Sequence, residues 1–399
     1  MSAVASPAIG VARGLGISAH ERFLNSRYFG ALDGLRCISI LAVIWHHTGP
    51  HAYHITTQGH RGVDLFFAIS GFLITTLLLR ERDQHGRISL ANFYVRRSLR
   101  IFPLYYVVLL VYVVLVGKFE HNAEDRAEFF RRLPWYATYT SNWLIDGLFI
   151  GRKIFHFAWS LATEEQFYLV WPWVVAFSRS WKTPLVVMSA AVVVDQVMEG
   201  MIYAGAFPPP YPMWVRVVSG IATPICLGCI LAILIHIRRG FDWLHPILGN
   251  VWSVAGIVVL MVGTLFLPET LVPTLLLHVL MACLVVAVCL PGKKVLGKML
   301  SNRVVRYVGM ISYGMYLLHM IGMQLARRVP GVKDHGNGAA FVAATLITLV
   351  LATGSYWTFE RWILKLKDRF RPEPAGGAGR GQHPVLPGDS EGEQAVNTV

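Results

Sequence analysis

Ten apolar runs, each long enough to cross a bilayer, constrain this chain more than any motif does. They lie near 37–55, 62–80, 101–117, 157–178, 183–203, 215–236, 247–267, 270–290, 304–325 and 339–361. Hydrophobic residues make up 54% of the 399 positions and charged residues only 15%, and the mean hydropathy is +0.49. A set of soluble domains is excluded by that balance. Backbone polar groups in lipid must be satisfied within each segment, so runs of this length predict helices. The expected fold is an all-α integral membrane protein, a polytopic bundle of about ten transmembrane helices.

Charge sets the expected orientation. With 133–150 kept out of the membrane, one set of alternate loops collects about 25 of the 36 Lys and Arg. The positive-inside rule makes that side cytoplasmic, with both termini on it. Counting 133–150 as a span would invert every later loop, so 118–156 reads as an external loop or half-embedded cap. The +13 net charge is therefore a matter of topology, and no nucleic-acid partner is expected. Three regions follow: a cytoplasmic lead over 1–30, a membrane domain over 31–368, and a disordered cytoplasmic tail over 369–399, Pro/Gly-rich and without periodicity. No signal peptide is visible, so the first span serves as its own insertion signal. Cys226 and Cys229 form a CxxC inside an apolar run and read as soft packing residues.

Chemistry must then be built inside the bundle or at its mouths. The stretch ALDGLRCISILAVIWHH from Ala31 to His47 carries Asp33 and Arg36 at a membrane edge and an imidazole at mid-depth. As a helix it places Arg36 and His47 on one face, ~16 Å apart, with His46 about 100° away. An inert anchor has little use for that costly arrangement, which suits anion binding at one end and proton transfer at the other. His47, His51 and His54 also have ligand-like spacing, but no carboxylate accompanies them and no metal is expected. Arg97 and Arg100 lie one turn apart before the third span, a disposition suited to bidentate phosphate binding, with Pro103 in the span's first turn.

Glu164 and Glu165 fall inside an apolar run, where carboxylates are rarely idle. Ser160, Tyr168 and Trp171 share the face of Glu164, whereas Glu165 shares its face with Leu161 and Leu169. Asp64 opens the second span, placed either to cap the helix or to contact a partner, and Ser70 and Gly71 permit close helix approach. Ser312, Tyr313, Tyr316 and His319 decorate the ninth span, where His319 is a second substrate-site histidine or a hydrogen-bonded strut. Asp195 and Glu199, four apart, are placed to line an acceptor groove. No repeat and no pair of broken spans is legible, which weighs against a proton-coupled transporter.

Five stretches together resemble the acyltransferase-3 family of bacterial membrane acyltransferases, over about residues 31–361. Its arginine–ten residues–histidine pattern is met by Arg36 and His47, and its GVDxFFxISGFL by Gly62 to Leu73. Its RxxR is met by Arg97 and Arg100, its WSLxxEEQFYLxWP by Trp159 to Pro172, and its SYxxYLxH by Ser312 to His319. His60 stands where the family often has glycine, and no proline follows His319.

The resemblance implies an enzyme, an O-acyltransferase of the bacterial plasma membrane. The expected reaction moves an acyl group, usually acetyl, from cytoplasmic acyl-coenzyme A to a hydroxyl of a glycan, a surface polysaccharide or a lipid-linked sugar. A diffusible natural product such as a macrolide is the alternative acceptor. The chain resembles the stand-alone type, without a fused esterase-like domain, and no bound cofactor is expected beyond acyl-coenzyme A as donor substrate. The expected catalytic residues are His47 and Glu164, the donor-binding residues Arg36, Arg97 and Arg100, and further site candidates Asp33, Asp64, Ser70 and His319.

Overall fold

A computed structural model describes residues 17–26, 28–49, 57–144, 154–291, 295–332, 338–367 and 370. His51, His54 and, residue 370 apart, the predicted tail lie outside the described residues, as does most of the predicted lead. The elements are α1 (Ala19–Leu24), α2 (Gly30–Thr48), α3 (Arg61–His85), α4 (Leu90–Phe119), α5 (Ala123–Ala137), α6 (Ala158–Phe177), α7 (Lys182–Tyr203), α8 (Met213–Val218), α9 (Thr223–His236), α10 (Arg238–Leu248), α11 (Val251–Thr264), α12 (Leu271–Cys289), α13 (Val295–Leu300), α14 (Arg303–Met310), α15 (Ser312–Ala326), α16 (Gly338–Ser355) and α17 (Arg361–Lys367). Helices and short turns account for the described residues, and no strand occurs among them.

The chain is a multi-pass membrane protein. Five helices are long and apolar enough to cross a membrane, or seven if each of two bent pairs is one span. The expected count of ten is not confirmed, for a physical reason. Helix α2 carries Asp33, Arg36, His46 and His47, and α6 carries Glu164 and Glu165, which lowers their mean hydropathy. Helix α11 is short. Sharp bends separate α9 from α10 (110°) and α14 from α15 (74°), so broken helices are present where the sequence predicts none.

The central element is α3, not the motif-rich α2. Of its most apolar window 78% is buried, against 17% for α7. One face of α3 gives Val63, Phe67, Ile74 and Leu78 to a core shared with α2, α4, α6 and α15. The other gives Leu65, Ile69 and Phe72 to a core shared with α9 and α12. Backbone contact between α3 and α9 is reciprocal. A Cβ on Gly71 would lie 2.0 Å from the Ile225 carbonyl oxygen, and one on Gly228 would lie 2.4 Å from that of Ala68, so only glycine admits this approach. Gly71→Leu is therefore expected to abolish the folded fraction recovered in detergent. Gly256→Leu, at a position with nothing within 4 Å of a built Cβ, leaves that fraction near parental. Size-exclusion profiles at matched expression check the pair.

Helix α4 begins eleven residues before the predicted third span. Arg96, Arg97 and Arg100 therefore sit on the helix, and Pro103 lies in its interior rather than its first turn. Hydropathy marks where lipid begins, whereas the helix extends through its charged turns. At its start Glu81 accepts the Ser89 N–H at 2.8 Å and pairs with Arg96 at 3.2 Å. The 133–150 segment forms no continuous helix. Helix α5 ends at Ala137 and Ser141–Leu144 is a 3-10 turn, while 145–150 lie outside the described residues. Tyr105 and Tyr106 of α4 tie this region down by donating to the carbonyls of Tyr136 and Ala137.

Candidate active site

Helices α2, α3, α4, α6 and α15 enclose a narrow cavity of about 90 Å³. Arg36, Arg97 and Arg100 converge on it, with Glu164, Ser70 and Tyr168 also in its wall. Arg36 is oriented from behind. Its Nη1 lies 3.0 Å from Asp33 Oδ1, and Tyr28 donates its hydroxyl to the other Asp33 oxygen. Burial, and then the Asp33 charge, push the Tyr28 hydroxyl up to about 12, so it stays a donor at neutral pH. Asp33 is itself buried, a positioning carboxylate one layer behind the cavity.

The two arginines of RxxR face the cavity together, as their one-turn spacing predicts, while Arg96 turns to Glu81. Arg97 has no ion-pair partner among the described residues. Its guanidinium lies over the rings of Tyr168 and Phe93, 5.5 and 5.8 Å from their centroids. Across the cavity Ser70 donates to Glu164 at 2.6 Å and Tyr168 donates to Ser70 at 3.1 Å. Ser70 thus does more than allow close approach. Trp171 also shares the Glu164 side of α6, donating to Thr75 at 2.8 Å.

The histidines form a separate group beside this cavity. The His47 ring lies 5.1 Å from His319 and 5.1 Å from His46, and His46 lies 5.3 Å from His60. His319 is 1% exposed, and its Nδ1 contacts the Tyr316 carbonyl. A carbonyl only accepts, so Nδ1 carries the proton and Nε2 presents a lone pair. That Nε2 has no hydrogen-bond partner among the described residues. The His319 ring is 5.5 Å from that of Tyr316, which lines the cavity. A row of imidazoles therefore runs from the cavity wall toward the far end of α2. His46 is held by the Thr57 carbonyl at 3.0 Å.

Glu164 meets Ser70, while His47 packs on His319. Asp64 lines a different cavity, where it pairs with Arg61 and with His278 Nε2, each at 3.2 Å. Glu165 and Tyr313 line the first cavity, although the helical wheel turned Glu165 away from it. The helix angle fixes the Cβ direction, and a long side chain reaches around it. His278, a lone imidazole in an apolar run, also lines that cavity, and an ionisable group within such a run is the sequence signal for it.

A family model described as an acyltransferase domain matches residues 29–357. The chain belongs to the acyltransferase-3 family. Relatives include a "Putative peptidoglycan O-acetyltransferase YrhL" of Bacillus subtilis, 30% identical, covering 86% of this chain and 56% of that protein. The "Peptidoglycan O-acetyltransferase OatA" of Listeria monocytogenes is 28% identical over 82% of this chain and 55% of its own length. The "O-acetyltransferase OatA" of Staphylococcus aureus is 29% identical over 75% and 51%. The chain thus spans about half the length of these curated relatives. No solved structure matches it. The family match takes in every residue that lines the arginine cavity, together with His47 and His319.

Proposed function

We propose that this acyltransferase-3 chain is an integral-membrane O-acetyltransferase. In this reading acetyl-coenzyme A is the donor, bound at the Arg36 end from the cytoplasm, and a hydroxyl of a cell-envelope glycan is the acceptor. The observation that carries it is the convergence of Arg36, Arg97 and Arg100 on one cavity, with Arg97 in no ion pair among the described residues. Guanidiniums so placed suit the phosphates of a nucleotide-bearing donor. The names of the relatives, peptidoglycan O-acetyltransferases, support both the acetyl group and the glycan acceptor.

The chemistry follows from the side chains. The acceptor oxygen attacks the thioester carbonyl carbon as its proton passes to the His47 imidazole. The C–S bond then breaks, the acyl group stays on the acceptor oxygen as an ester, and the thiolate recovers the proton to leave as free coenzyme A. Helix α2 holds Arg36 and His47 eleven residues apart on one continuous helix, ~16 Å along its axis, which is comparable to the reach of a pantetheine arm. The location is the bacterial plasma membrane, with both termini cytoplasmic.

Comparing acetyl esters on envelope glycans in a deletion strain with those of its parent, by mass spectrometry, tests this reading. The deletion is expected to lose a class of acetyl esters that the parental gene restores, and an unchanged ester profile contradicts the reading. The bent pairs α9–α10 and α14–α15 favour a second reading, a proton-coupled transporter built on broken helices. That protein would move its solute chemically unchanged.

A further inference from the structure

A second, larger cavity of about 680 Å³ opens beside the same N-terminal turns of α3, between α7, α9, α12 and the start of α6. Its size falls in the range of sites that take a small organic ligand. Phe67 lines both cavities. It is 3% exposed and meets Trp159 edge-on with ring centroids 6.0 Å apart. Phe67 therefore stands in the wall shared by the two cavities, packed on Trp159 of the second.

The wall of the second cavity is polar, in a specific way. Asp195, 5% exposed, accepts from Thr223 and from Gln196 Nε2. That leaves Gln196 Oε1 without a hydrogen-bond partner among the described residues. His278, 8% exposed, has its Nε2 beside Asp64 and its Nδ1 equally unpartnered. Buried polar atoms in this condition are costly unless something meets them. Arg61 engages both Asp64 and Glu269, at 3.2 and 3.7 Å. Asp195 and Glu199, one turn apart on α7, have no ion-pair partner among the described residues. The cavity sets four carboxylates, Asp64, Asp195, Glu199 and Glu269, against the one guanidinium of Arg216 among its described lining residues, so it offers acceptor atoms to hydroxyl, amide or ammonium donors and favours an uncharged ligand over an anion. Trp159, Tyr203 and Tyr211 add flat apolar faces to the same wall.

We propose that this cavity is the acceptor site, taking an uncharged, hydroxyl-rich carbohydrate held by Gln196, Glu199 and His278, with its reacting hydroxyl delivered past Phe67 to the arginine cavity. The assignment rests on the acyl-transfer reading for its name, whereas the binding it asserts is measurable without any transfer. The probe is the uncharged tetramer of N-acetylglucosamine, titrated calorimetrically into the full chain in lipid nanodiscs. Tetragalacturonate, an anionic oligomer of the same length, is the comparison.

The uncharged tetramer is expected to bind at millimolar concentration or below, and the anionic one about tenfold more weakly or worse. His278→Ala, and separately Glu199→Gln at an exposed position that tolerates the change, should each weaken the uncharged tetramer about tenfold, the worth of a hydrogen bond to a charged or buried group. Binding of a non-hydrolysable acetyl-coenzyme A analogue should stay within about twofold in both variants, which also reports that they fold. Absence of tetramer binding, equal binding of the anionic oligomer, or indifference to both substitutions overturns the site. Binding that obeys these expectations in a protein that transfers no acetyl group leaves the site standing and removes the acyl-transfer reading instead.

Discussion

Replacing His47 by alanine or by glutamine is expected to remove detectable acetyl transfer while donor binding persists. A positioned general base is worth ~10²–10⁴-fold in rate, and glutamine keeps the shape without the proton affinity. His46→Ala is the informative comparison, since His46 lies against the same ring at 5.1 Å yet is committed to the Thr57 carbonyl. Its loss should cost less than tenfold. The measurement is transfer of label from acetyl-coenzyme A by each variant at matched expression. A greater defect in His46→Ala, or parental rates in His47→Ala, would contradict the assignment.

The second large effect concerns the donor. Arg97→Ala should raise KM for acetyl-coenzyme A by about 10–100-fold, the worth of a charge-assisted hydrogen bond to phosphate of about 1.5–3 kcal/mol. Membrane insertion should stay near normal, because Arg97 rests on the Phe93 and Tyr168 rings and anchors no ion pair among the described residues. Arg97→Lys retains charge but loses the planar fork, so an intermediate KM is expected. Initial rates across a donor series, with protein quantified in the membrane fraction, give both numbers. An unchanged KM in Arg97→Ala would place the donor elsewhere. Asp33→Asn should act in the same direction but more weakly, since it releases Arg36 from its 3.0 Å partner without removing the guanidinium.

Much of the arginine cavity was legible in the sequence because its residues are ionisable groups in apolar runs, and such groups are hard to hide. Arg36, Arg97, Arg100 and Glu164 converge as their helical phases predict, and Tyr168 and Ser160 join Glu164 on its face. Side-chain reach and helix crossing were not legible. Glu165 enters the cavity despite its phase, and Ser70 proves to be the group that hydrogen-bonds Glu164. The helix of the predicted third span, α4, runs back to Leu90 because charged turns are compatible with a helix even where they are not compatible with lipid. The central role of α3 could not be read from its composition either, since a span buried by protein and one buried by lipid are equally apolar. The second cavity depends on contacts between residues more than 200 positions apart, such as Asp64 with His278, which no local pattern encodes. Of its wall, the sequence pointed to Asp64, Asp195 and Glu199, and to Trp159 as the start of a family motif.

The most direct test of the account is acyl transfer by the purified chain itself. Reconstituted in liposomes with acetyl-labelled coenzyme A and a soluble glycan fragment, the protein is predicted to move label into an alkali-labile ester on the glycan and to release free thiol in equal amount. Label that stays on coenzyme A, or a glycan that crosses the bilayer chemically unchanged, would contradict it.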